Sequence, residues 1–174
     1  MNVPNKLTVL RIIMVPVFMA IYMLDVIPYH VPIAAIIFIL ASLTDWLDGL
    51  LARKNNLVTN LGKFMDPLAD KLLVTGALLC MMERNIVDFW IVMIIVSREF
   101  IVTGLRLVAV TKGIVIAAGK LGKIKTVVQL IAIITAIISS KQILIDILMY
   151  ISAFLTAFSG IMYLIDNRKV LQDF

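Results

Sequence analysis

Long runs of apolar residues with few charges constrain this chain more than any other feature. A helix of about 20 apolar residues crosses a hydrocarbon core roughly 30 Å thick. We predict six such helices, over Leu7–Leu24, Val31–Arg53, Lys63–Met82, Val87–Val110, Leu121–Ser140 and Ile143–Ile165. Because the connecting segments are short, the sequence predicts an all-α polytopic membrane protein, with one bundle of six transmembrane helices forming a single domain over residues 1–174.

The composition supports a membrane protein. Of the 174 residues, 62% are hydrophobic, and the mean hydropathy is +1.07, which an ordinary soluble domain does not approach. Cys80 is the only cysteine, so the chain can form neither an internal disulfide nor a thiolate cluster around a metal.

The lysines and arginines predict the orientation, because basic residues are in excess on the cytoplasmic side of a membrane. If the N-terminus is inside, the loops expected outside carry only Arg84 and Lys141. The other 14 of the 16 basic residues then lie at or near the inner face. We therefore predict a multi-pass protein of the cell membrane whose two termini and functional site face the cytoplasm.

Four aspartates lie near the end of the second predicted helix and the start of the third. Asp45 and Asp48 are spaced i,i+3, and Asp66 and Asp70 are spaced i,i+4, so each pair lies on one helix face. A charge inside a bilayer is costly unless it is paired, hydrated or bound to a metal. The short polar turn "KNNLVTN" lets the two pairs converge. Oxygen ligands of this kind favour a hard divalent cation such as Mg²⁺ or Mn²⁺.

Other interpretations exist for parts of this segment. Asp66 before Pro67 is also typical of a helix N-cap, although that would not explain acids at the end of the preceding helix, where they oppose the helix dipole. Small residues such as Gly49 and Gly62 permit close approach by a ligand or by another helix. Arg53 can neutralise a phosphate or extend to the lipid headgroups.

The whole segment resembles one family. It fits, without a departure, the signature D-x2-D-G-x2-A-R-x8-G-x3-D-x3-D of the CDP-alcohol phosphotransferases, at Asp45, Asp48, Gly49, Ala52, Arg53, Gly62, Asp66 and Asp70. The resemblance implies a six-helix membrane fold and transfer of a substituted phosphoryl group from a CDP-linked donor to an alcohol. It implies that the four aspartates bind a divalent metal and that Asp70 is also the general base. The CDP-lipid pocket that it implies comprises Asn5, Asp48, Gly49, Ala52, Arg53 and Gly62.

Three further stretches are similar to bacterial members that use CDP-diacylglycerol as donor and sn-glycerol 3-phosphate as acceptor. They are "NVPNKLTVLR", "SREF" with the following "GLR", and "GKLGKIKTVVQ". This similarity implies the products phosphatidylglycerol phosphate and CMP, and by analogy a homodimer within membrane lipid. A sibling that uses serine, inositol phosphate or phosphatidylglycerol as acceptor stays open, since the signature does not distinguish between alcohols.

An acceptor that carries a phosphate needs cationic ligands of its own. The candidates are polar or basic residues assigned near the inner face: Thr8, Arg11, Arg98, Arg106, Lys123, Lys125 and Thr126. Structural roles compete here, because Glu99 and Arg106 are seven residues apart and can pair, and the lysines can simply anchor the topology. Tyr163 is interpreted as packing or as an interface anchor.

Two functions from other classes stay open. Membrane prenyltransferases also bind magnesium and a diphosphate through two aspartate-rich helices, but their chains are usually longer and lack the D-G-x2-A-R string. A divalent-cation carrier would explain the carboxylates but not the basic cluster. No nucleic-acid partner is expected, because topology and phosphate ligands account for the basic residues.

Overall fold

The computed structural model is all-helical over the residues that it describes, which are 3–55, 60–111, 116 and 119–168. For residues 3–5, 45–55, 60–67, 111 and 120 it describes the backbone only. The helices are α1 (Val3–Met23), α2 (His30–Asn55), α3 (Asn60–Glu83), α4 (Phe89–Thr111), α5 (Lys120–Ile138) and α6 (Gln142–Asp166). The structure confirms a helix at each of the six predicted places, and no predicted end differs from the observed one by more than four residues.

Three of these helices are long and apolar enough to cross a membrane within the described part of the chain. They contain the segments Lys6–Met23, Leu121–Ile138 and Gln142–Asp166, and the apolar stretch His30–Thr44 of α2 is shorter. Large apolar side chains also point outward, including Phe154, which is 69% exposed. A soluble monomer rarely exposes apolar surface on this scale, so the structure agrees with an all-helical membrane protein.

The contacts between helices divide the chain into two units, and the first comprises Met1–Arg84 with Ala136–Ile138. Here α1 packs against both α2 and α3, and α2 packs against α3. Phe18 lies at the centre, with its ring 5.7 Å from that of Tyr22 and 5.6 Å from that of Phe38. Cys80 is also buried in this unit, as expected for a packing residue.

Gly76 lets α3 approach α1 closely. A Cβ atom added at Gly76 would lie 3.0 Å from Met19 Sδ and 3.3 Å from Val15 Cγ1. We expect Gly76→Val to destabilise the protein by about 1–3 kcal/mol, because an overpacked core must shift its side chains or backbone. Thermal unfolding in detergent measures this, with Gly104→Val as the control, because a Cβ at Gly104 has nothing within 4 Å. Equal melting temperatures for the two variants would contradict the expectation.

A polar cluster lies near the start of α2, at the opposite end of that helix from the aspartates. Arg84 Nη2 donates to Asp25 Oδ1 at 2.5 Å, and its guanidinium lies 5.1 Å from the centre of the Tyr22 ring. His30 Nε2 lies 3.5 Å from the same Asp25 oxygen. The hydrogen bond from Arg84 lowers the pKa of Asp25, so this contact loses strength as the pH falls through the lowered pKa. The cluster joins the α1–α2 loop to the end of α3.

The second unit comprises Asn85–Thr135 and Ser139–Phe174. In it α4 packs against α6, and Tyr163 of α6 is buried in a cluster with Val102, Leu105 and Ala109 of α4. The buried face of α6 also carries small and polar residues, namely Ser152, Ala153, Thr156, Ser159 and Gly160. Small side chains allow two membrane helices to pack closely, and here they bring polar groups of α6 against α4.

Candidate active site

The backbone of the first unit places the four aspartates on two helices that pack together. Asp45 and Asp48 lie in the C-terminal half of α2, and Asp66 and Asp70 lie in the N-terminal half of α3. Only residues 56–59 separate the two helices. The side chain of Asp70 is described and is half-buried, whereas those of the other three aspartates lie outside the described residues.

The chemistry of this donor set fits a divalent cation. Four carboxylates at helical spacing offer hard oxygen ligands, which Mg²⁺ and Mn²⁺ prefer to nitrogen or sulfur. The side chains that the structure describes do not include those of Asp45, Asp48 and Asp66, and among the described ones no three metal-ligating groups come together.

The residues assigned to the CDP-lipid pocket lie on three helices of the same unit. Asn5 is in α1, Gly49, Ala52 and Arg53 are in α2, and Gly62 is in α3. Their side chains, like that of Asp48, lie outside the described residues, so their roles stay predictions.

Thr8 and Arg11 of α1 are both buried, at 1% and 0% exposure. They are three residues apart and lie on one face of the helix. An arginine is almost never fully buried unless it is paired, and Arg11 does have interaction partners. These two acceptor candidates are therefore fixed within the first unit and do not extend into solvent or headgroups.

A buried charge cluster in the second unit joins two more acceptor candidates, Arg98 and Lys125, to Glu99. Arg98 Nη1 donates to Glu99 Oε1 at 3.2 Å, and Lys125 Nζ donates to the same oxygen. Arg98 Nη2 also donates to Ser159 Oγ at 3.3 Å. The side chains of Arg98, Glu99 and Lys125 are 14%, 17% and 5% exposed. Two cations share one carboxylate, so the three groups together carry a net charge of +1.

Arg106 has a different partner. Its Nε–H donates to the hydroxyl of Tyr163 at 2.9 Å, and its guanidinium lies 5.3 Å from the centre of the same ring. Tyr163 thus combines a hydrogen bond and a cation–π contact on one arginine. The alternative that Glu99 pairs with Arg106 receives no support from these contacts, which join Glu99 to Arg98 and Lys125 and join Arg106 to Tyr163.

The two remaining acceptor candidates are exposed. Lys123 lies two residues before the buried Lys125 on α5, and Thr126 donates its hydroxyl to the carbonyl of Gly122 in its own helix at 3.0 Å. Lys125 therefore differs from Lys123 and Thr126, because it is buried and contacts Glu99, whereas the other two are exposed.

Sequence reasoning missed the contributions of Ser159 and Tyr163, and it offered Arg106 as one possible partner of Glu99. Tyr163 was interpreted as packing, and it is indeed buried, but its hydroxyl also holds Arg106. A signal did exist, because Ser159 and Tyr163 lie four residues apart in a helix with no charged residue between Asp146 and Asp166. Polar atoms on the buried face of such a helix need partners.

Comparisons with known proteins agree with the sequence signature. The family described as CDP-alcohol phosphatidyltransferase matches residues 1–158. A protein of Bacillus subtilis (strain 168) is 44% identical over 98% of this chain and 97% of its own length. Proteins of Rickettsia felis and Haemophilus influenzae are each 38% identical, over 93% and 99% of this chain and 93% and 96% of their own lengths. All three are named CDP-diacylglycerol–glycerol-3-phosphate 3-phosphatidyltransferase.

Proposed function

The chain belongs to the CDP-alcohol phosphatidyltransferase family, and we propose that it transfers the phosphatidyl group of CDP-diacylglycerol to sn-glycerol 3-phosphate. The products are phosphatidylglycerol phosphate and CMP. The observation that carries this proposal is the 44% identity, over 98% of the chain, to a relative named for that reaction. The family match runs from α1 into α6, which supports a single catalytic domain over residues 1–174.

In the proposed reaction the four aspartates act at the phosphoryl group that is transferred. Asp45, Asp48, Asp66 and Asp70 would hold a divalent cation, Mg²⁺ or Mn²⁺. When bound, such a cation would neutralise charge on the diphosphate and on the leaving CMP. The hydroxyl oxygen of the acceptor forms a bond to phosphorus while the bond from phosphorus to the CMP oxygen breaks. Asp70 accepts the proton that this hydroxyl loses. A carboxylate is a modest base at neutral pH, so the proton moves late, as the transition state forms.

The remaining predicted residues bind the two substrates. Asn5, Asp48, Gly49, Ala52, Arg53 and Gly62 line the CDP-lipid pocket. The acceptor's phosphate is held by Arg98, Arg106 and Lys125, with Thr8, Arg11, Lys123 and Thr126 as further ligands. The contacts of both side chains with Glu99 support this assignment for Arg98 and Lys125, because they hold the two cations close together inside the second unit. Among the described residues, the buried Nε–H of Arg98 also has no acceptor.

We further propose that all six helices cross the cell membrane, with both termini and the active site on the cytoplasmic side. The distribution of the 16 basic residues supports this orientation. The substrates fit it as well, because a lipid donor enters from the bilayer and a charged acceptor enters from water. A homodimer is proposed by analogy with the family.

The test is CMP release by the detergent-purified protein given CDP-diacylglycerol and Mg²⁺ or Mn²⁺. Glycerol 3-phosphate, serine, inositol phosphate and phosphatidylglycerol are offered separately. Of the four alcohols, we expect only glycerol 3-phosphate to give CMP release. This release should be lost when EDTA removes the metal and should recover when excess metal is restored.

The other outcomes identify the alternatives. Release with a different alcohol would keep the reaction class and overturn the acceptor. No release with any alcohol, from protein shown to be folded, would favour a prenyltransferase or a cation carrier. Metal uptake into vesicles without CDP-diacylglycerol would then distinguish the carrier.

A further inference from the structure

Helix α6 holds both arginines that α4 contributes to the acceptor candidates. Ser159 accepts a hydrogen bond from Arg98, and Tyr163 accepts one from Arg106. The two α6 residues are one turn apart, and the two arginines are eight residues apart on α4. None of the α6 residues is among the residues assigned above to substrate.

Gly160 makes the contact with Arg98 possible. A Cβ atom added there would lie 2.8 Å from Arg98 Cγ, a distance that real Cβ atoms essentially never show. The stem of Arg98 therefore lies directly against the backbone of α6, and any larger side chain would push it away. Ser159 then holds the tip of the same arginine, so stem and tip are both fixed by α6.

Tyr163 fixes Arg106 in two ways. Its ring faces the guanidinium, and its hydroxyl accepts the Nε–H at 2.9 Å. The Nε–H lies on one edge of the planar guanidinium, so its use leaves both terminal nitrogens to form a two-pronged contact with a phosphate. Tyr163 is itself packed among Val102, Leu105 and Ala109, which holds its ring in place.

We propose that Ser159, Gly160 and Tyr163 are positioning residues that hold Arg98 and Arg106 in the geometry that binds the acceptor's phosphate. This inference rests on the proposed function and extends it, because it assigns to α6 the affinity for the phosphorylated alcohol. A long arginine side chain loses conformational freedom when it binds an anion, and a side chain already held in place loses less. The α6 contacts therefore lower the KM for glycerol 3-phosphate and leave the affinity for CDP-diacylglycerol unchanged.

Tyr163→Phe tests the inference, because it keeps the ring and removes the hydroxyl. We expect the KM for glycerol 3-phosphate to rise about 3- to 10-fold, the size of one typical hydrogen bond, with the KM for CDP-diacylglycerol unchanged. The matched control is Tyr150→Phe, the same substitution in the same helix. Tyr150 is exposed and donates to Asp88 Oδ2 at 2.8 Å, away from both arginines, so all constants should stay at the wild-type values.

Gly160→Ala provides a second test at the other arginine, and thermal unfolding in detergent accompanies each variant. A rise in the glycerol 3-phosphate KM for Tyr163→Phe, at an unchanged melting temperature, supports the inference. An unchanged glycerol 3-phosphate KM in both Tyr163→Phe and Gly160→Ala overturns it. The proposed function still stands in that case, provided that the wild-type protein is active. Parallel rises in both substrates' KM values also overturn it, because they indicate a general structural role. Wild-type protein that releases no CMP with glycerol 3-phosphate overturns the proposed function itself.

Discussion

Asp70→Asn is expected to lower kcat by roughly 10²- to 10⁴-fold, the usual contribution of a general base. Asparagine has nearly the same shape but cannot accept the proton of the attacking hydroxyl. It also removes one negative ligand from the proposed cation site. CMP release at saturating CDP-diacylglycerol and glycerol 3-phosphate measures the loss, and the KM for the donor should change much less than kcat.

Asp166→Asn is the matched control for this substitution. Asp166 is exposed at the end of α6 and is assigned no role in catalysis. We expect it to keep wild-type activity. An Asp70→Asn variant that retained more than a tenth of wild-type kcat would contradict the assignment of Asp70 as the base.

Glu99→Gln is expected to destabilise the protein by about 3–5 kcal/mol, the cost of breaking a buried ion pair from one side. The carboxylate of Glu99 accepts hydrogen bonds from Arg98 and Lys125, whose side chains are largely buried. Glutamine keeps the volume of the side chain but removes the negative charge that both cations contact. Thermal or denaturant unfolding in detergent measures the change.

The double variant Glu99→Gln with Lys125→Met separates stability from function. Removing the second charge should restore a large part of the lost stability, because the coupling energy of a contacting pair appears in such a cycle. Activity with glycerol 3-phosphate should stay low, since Lys125 is then missing from the proposed acceptor site. Additive destabilisation by the two substitutions would contradict the shared ion cluster.

The six helices were predictable because the thickness of a bilayer sets the length of an apolar run. Observed and predicted ends differ most at the N-terminus, where α1 begins at Val3 and the apolar run begins at Leu7. The polar residues in that first turn hide the helix start from a prediction based on hydropathy. The aspartate motif was equally visible in sequence, since charges inside apolar runs are conspicuous.

The surroundings of the cations were not predictable in the same way. Lys123 and Lys125 look alike in sequence, yet one is exposed and the other is 4% exposed. In a membrane helix both faces are apolar, so periodicity does not reveal which face meets protein. Helix position also misleads for Glu99, because adjacent side chains on a helix usually diverge, while here Arg98 contacts its direct neighbour.

The most direct test of the central claim is incorporation of radiolabelled glycerol 3-phosphate into lipid by the purified chain in vesicles that contain CDP-diacylglycerol and Mg²⁺ or Mn²⁺. We predict that label appears in phosphatidylglycerol phosphate in a one-to-one ratio with released CMP, and that Asp70→Asn lowers both by at least about 10²-fold. Label that stays in the aqueous phase, with protein that is folded and supplied with metal, would contradict it.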